Sequence, residues 1–105
     1  MSVALLIERV DGEQVGDYLP IAGEAFFQKV WLPMCATLDL KLVPQFQGGR
    51  PFSNDDLPAL IKELEKLQTN VNLDLEESGS LLKRVGLLID RLHDLKGRDV
   101  ELFIG

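Results

Sequence analysis

Along the second half of the chain apolar positions recur at alternating steps of three and four: Leu57, Leu60, Leu64, Leu67 and Val71, then Leu81, Val85, Leu88, Leu92 and Leu95. That period places each set on one side of an α-helix. Ile61, Leu82 and Ile89 widen the stripes beyond the narrow seam of a coiled coil, and neither stripe runs for the three or four heptads that such a seam needs. The stripes therefore predict two helices facing the core of their own chain. The link between them, Asn72 to Glu77, is short enough to fold the pair into an antiparallel hairpin. An N-cap at Asp55 places Pro58 in the first helical turn, whereas a cap at Ser53 sets the proline too deep. The first of these helices should run to about Val71. The second should start at Ser78 or Ser80 and end at Lys96, with Gly97 as the left-handed residue beyond it. Gly86, inside that helix, costs about 1 kcal/mol relative to alanine; it marks either a close backbone approach or a neutral substitution.

The first half changes period several times. Val3 to Ile7 is a continuous apolar run, which suits a central strand covered on both faces. Asp11-Gly12 offers a tight turn, and Val15 to Ala22 returns as an edge strand weakened by Gly16 and Pro20. Phe27, Val30, Trp31, Met34 and Leu38 then share a helical face, interrupted by Pro33, which should kink or end the helix near Leu32. Leu38, Leu40 and Leu42 alternate with Asp39 and Lys41 as a half-buried strand does, and Gln45 to Asn54 reads as an extended loop. Val100, Leu102 and Ile104 close the pattern with a last strand. The order is ββαβααβ: one α+β domain over residues 1–105, a mixed β-sheet packed against helices with an antiparallel helical hairpin.

Composition narrows the function classes. With 17 acidic against 11 basic side chains, a net charge of −6 disfavours nucleic acid, which is held by clustered Lys and Arg. The excess is strongest between Asp55 and Glu77. A single cysteine, Cys35, permits no intramolecular disulfide, and no apolar run approaches the length that spans a bilayer. These features predict a cytoplasmic chain with no membrane partner.

No constellation of catalytic residues emerges. Cys35 and His93 are the only residues of their kinds, so a Cys-His pair would have to use both. Cys35 sits among Met34, Ala36 and Leu38 as a small core residue does, and Asp90 offers His93 an ordinary helix-flank partner. Asn70, Asn72 and Asp74 imitate the start of a calcium loop, but Leu75 and Leu81 replace its turn glycine and final bidentate acid. Gly48-Gly49-Arg50 lacks the rest of a phosphate loop. No enzyme activity, metal or cofactor is expected.

What remains is binding. Gln45, Phe46, Gln47, Arg50 and Phe52 place aromatic rings, amides and a guanidinium on a glycine-hinged loop, and such groups make good contacts at protein interfaces. Asp55, Asp56, Asp74, Glu76 and Glu77 supply acidity beside it, able to steer a basic partner. The candidate partner-binding set is thus Phe46, Arg50, Phe52, Asp55, Asp56, Asp74, Glu76 and Glu77. The chain reads as a small acidic domain that binds, and inhibits or regulates, a basic protein; in bulk composition, though in no motif, it is similar to bacterial immunity proteins and antitoxins. Two alternatives stand beside this reading. One is a self-associating structural protein, with a homodimer through the stripes or a sheet edge; the other is a ligand-binding protein or enzyme with a pocket near Trp31, Cys35 or Tyr18.

Overall fold

A computed structural model describes residues 2–70 and 78–105, residue 78 in its backbone only. Strands β1 (Ser2–Val10), β2 (Glu13–Gly23), β3 (Arg50–Ser53) and β4 (Val100–Ile104) form one sheet in the order β2-β1-β4-β3. Every pairing is antiparallel, where a mixed sheet was expected. Helix α1 covers residues 24–38, helix α2 is Leu57–Thr69 and helix α3 is Ser78–Leu95. The fold is α+β in the predicted order.

The stripes face inward. Leu57, Leu60, Leu64 and Leu67 of α2 and Leu81, Val85, Leu88 and Leu92 of α3 are fully buried, together with Leu5, Ile7, Val100, Leu102 and Ile104 on one face of the sheet. Asn54 and Pro58, at the start of α2, share a groove with Lys96 and Gly97, just past the end of α3, so the helical pair is antiparallel. Val71 lies outside the described residues, as do Leu73 and Leu75. Gly97 ends α3 with φ +83°, in the left-handed region where glycine carries no Cβ penalty.

Four further expectations are corrected. The third strand is not Leu38–Leu42: Asp39 is left-handed at φ +57° and caps α1, while Leu42 leads into a 3-10 turn, Val43–Gln47. Helix α2 dictates this from a distance. The Glu63 carboxylate accepts N–H bonds from Leu42 (2.9 and 3.0 Å) and Val43 (3.2 Å), and Lys66 Nζ donates to the Leu38 carbonyl at 3.0 Å. Backbone groups held by side chains cannot pair with a strand. The strand forms instead at Arg50–Ser53, inside the segment expected to be a loop.

Pro33 neither ends nor breaks α1. A π-turn, Phe27–Trp31, precedes it and the helix resumes at Leu32–Leu38, so the proline falls in a new first turn where an N–H is not required. The N-cap of α2 is Asp56, not Asp55, and Ser53 caps the 3-10 turn that precedes it. Ser53 and Asp56 form a capping box around a 3-10 turn, Asn54–Asp56, which leaves Pro58 in the first α-helical turn after all.

The fourth correction concerns β1, which is central but covered on one face alone. Leu6 points away from the helices and is 36% exposed. Further along, β1 passes a bulge at Glu8 that resets the alternation and returns Val10 to the inner face, opposite Val100 and Glu13.

Two substitutions test this packing. Among the described residues a Cβ at Gly86 would meet nothing closer than the Gln68 side chain at 3.8 Å, so no described backbone approaches it. Gly86→Ala should stabilise the fold by about 1 kcal/mol in denaturant melts, and a loss of stability would contradict the packing. Glu63→Ala should cost about 1.5–3 kcal/mol, because it strips the acceptor from two part-buried amides. An unchanged melting midpoint would remove Glu63 from its anchoring role.

Candidate functional site

The aromatic loop turns inward. Phe46 is fully buried and Phe52 is 3% exposed; their rings meet edge to face at 5.9 Å, and Phe46 stacks on Phe27 at 6.2 Å. Neither ring reaches a partner on the folded surface, which corrects their expected role as contacts. The cause is geometric: β3 is a real strand, and its alternation sends Phe52 to the side of Leu102. Arg50 lies over Phe52, 4.6 Å from the ring centroid, and approaches Asp56 at 3.7 Å. Asp56 is occupied by that cation and by the Ser53 N–H at 3.0 Å, so of this group Asp55 is the exposed acid. Arg50, Asp55 and Asp56 thus sit together at the start of α2. Asp74, Glu76 and Glu77 lie outside the described residues.

Trp31 and Cys35 are both fully buried, and among the described residues the Trp31 indole N–H has no acceptor. The two lie one turn apart on the inner side of α1. Burial, with the Glu63 charge as a lesser cause, pushes the Cys35 thiol up to about 12. A thiol held neutral is a poor nucleophile. His93 is exposed on α3, and among the described residues no hydrogen bond or ion pair joins it to Asp90.

A different acidic site forms where β2 runs past the end of α3. Ile7, Val10, Val15 and Leu95 give an open groove of about 290 Å³ an apolar floor, and Glu13, Asp17, Asp94, Arg91 and Arg98 rim it. Both arginines are already engaged. Arg91 donates to Asp17 at 3.4 Å, while Arg98 grips Asp11 at 2.9 Å through Nε and Nη2. The Arg98 hydrogen bond and then the Asp99 amide hold the Asp11 carboxyl below the usual carboxylate range, so this clasp stays charged in mild acid. Glu13 and Asp94 are left on the rim without a cation among the described residues.

No known protein family, curated protein or solved structure matches the chain. Among the described residues no group of three or more His, Cys, Asp and Glu could hold a metal ion, and no helix is long and apolar enough to cross a membrane.

Sequence reasoning missed the groove. Asp94 is far along the chain from Glu13 and Val15, and the one available signal was Val15 alternating with polar neighbours on a strand expected at an edge. The outer face of the sheet was missed as well. Tyr18 is 61% exposed, and with Leu6 and Phe103 it forms a row of large apolar side chains turned away from the helices.

The Cys35 environment makes a direct prediction. At about pH 8 the native protein should resist thiol-labelling reagents that react with it once unfolded. Because the folded value is raised above the ordinary 9.0, the unfolded chain loses this proton first, and stability should fall as pH rises from 9.0 towards about 12. Native labelling at the rate of a free thiol would contradict the buried placement.

Proposed function

We propose that the chain is a small, cytoplasmic, non-enzymatic domain that binds a basic segment of another protein and thereby inhibits or regulates it. The groove between β2 and α3 carries this reading. Its floor of Val10, Val15 and Leu95 suits the methylene stem of a lysine or arginine, and Glu13 and Asp94 suit the charged head. A net charge of −6 adds a long-range field that attracts cations and repels polyanions. Asp55, at the start of α2 and so at the same end of the helical pair, adds to that field from outside the groove.

The reading gives a role to acids that the fold does not consume. Asp11, Asp17, Asp56 and Glu63 are engaged with arginines or backbone amides and hold the structure together. Glu13 and Asp94 have no such employment. One cysteine, buried and without a partner thiol, suits a reducing compartment.

Fluorescence anisotropy with a labelled oligolysine peptide tests the proposal, with oligoglutamate as control. The expected result is binding to the first alone, weakening as salt is raised. Glu13→Gln combined with Asp94→Asn should lower affinity about tenfold, the sum of two exposed charge pairs of under about 1 kcal/mol each. Binding that ignores both salt and the double substitution would overturn the groove as the site.

A further inference from the structure

The groove between β2 and α3 already holds a cation of the chain's own. Arg91 reaches from α3 to Asp17 on β2, 74 residues earlier in the chain, and donates through Nη1 at 3.4 Å. Both side chains line the groove together with Glu13 and Asp94. Asp94 follows Arg91 by three residues on α3, so the two are neighbours on the helix surface. A positive group thus stands among three of the groove's acids.

Arg91 and Arg98 are held very differently. Arg98 meets Asp11 at 2.9 Å through both Nε and Nη2, and the Asp99 amide adds a third bond to the same carboxylate at 3.2 Å. The Asp11 N–H in turn donates to the Asp99 carbonyl, so backbone and side chains close one clasp. Arg91 has one contact with Asp17, longer than the roughly 2.7–2.9 Å usual for a charge-assisted bond. The two side chains are 41% and 54% exposed, so water competes for both ends. Of the acids engaged by arginines or backbone amides, Asp17 is held most loosely: Asp56 has a backbone N–H at 3.0 Å besides its arginine, and Glu63 has two amide donors. The Arg91–Asp17 pair is the one in the groove that can exchange.

We propose that Arg91 is a built-in competitor for the cation groove: it masks Asp17, and a basic side chain of the partner binds by taking its place there. This rests on the reading of the groove as a cation site and adds what sets its affinity. Exchanging one cation for another at Asp17 replaces a pair with a pair, so the gain comes from Glu13 and Asp94, while the displaced guanidinium stays close by on α3 and repels the newcomer. The partner that prevails carries several basic residues close together, whose charges act from one chain against a single resident arginine. A lone lysine or arginine side chain has no such advantage.

Fluorescence anisotropy with labelled oligolysine, at low salt on the full chain, tests the proposal. Arg91→Gln should raise affinity about fivefold, by unmasking Asp17 and removing a like charge, each an exposed interaction of modest strength. Arg91→Lys keeps the charge and should stay within about twofold of the native chain. Lys62→Gln makes the same change in net charge on the exposed side of α2, away from the groove, and should also stay within about twofold. Asp17→Asn leaves Arg91 unpaired and should lower affinity about threefold, and adding Arg91→Gln to it should restore the native value. Equal affinity of the native chain and Arg91→Gln would overturn the competition and leave the groove as the cation site. Equal gains from Arg91→Gln and Lys62→Gln would overturn it too, because net charge alone would then account for the effect. Absence of binding by both the native chain and Arg91→Gln would overturn the groove itself, and this proposal with it.

Discussion

Burial of two leucine-rich stripes against one face of an antiparallel sheet is the interaction on which everything else in this structure depends. Each fully buried leucine contributes about 1.5–3 kcal/mol, whereas an exposed ion pair such as Arg91–Asp17 contributes under about 1 kcal/mol. The stripes hold the fold, and the surface charges are left largely free for other work. The same arrangement imposes a constraint. Helices packed on one face leave the other to whatever the strands themselves provide, and here that is a row of Tyr18, Leu6, Phe103 and Pro51.

Polar groups take their places around this packing rather than creating it. Glu63 and Lys66 fasten the connection after α1 onto the flank of α2. Asp11 and Arg98 fasten the β1–β2 turn to the approach of β4, where the Asp99 amide also donates to Asp11 at 3.2 Å. These clasps explain why so many acids are unavailable for binding. Glu13 and Asp94, on the rim of the groove between β2 and α3, are among those left over.

The helical hairpin, the edge position of β2 and the closing strand were legible because each depends on a local period: 3.6 residues in the stripes, two in Val100, Leu102 and Ile104. Leu38, Leu40 and Leu42 misled for a physical reason. Their two-residue spacing is shared by a strand and by a helix end followed by a 3-10 turn, and Glu63, 21 residues away, decides between them. The Pro33 helix escaped because a π-turn is a backbone adjustment without a sequence period of its own. Phe46 and Phe52 were read as surface groups on a loop, and only the pairing of β3 with β4 shows that they face the core. The groove and the outer row are products of register, and register across four strands is not written in any one segment.

On the proposed function, cations bind the groove between β2 and α3 and not the outer face of the sheet. Mapping amide NMR shifts of the isotopically labelled chain during an oligolysine titration tests it most directly. Shifts concentrated at Glu13 to Asp17 and Arg91 to Arg98, with Leu6 and Phe103 unmoved, are expected. Shifts centred on the outer face, or on Arg50 to Asp56, would contradict it.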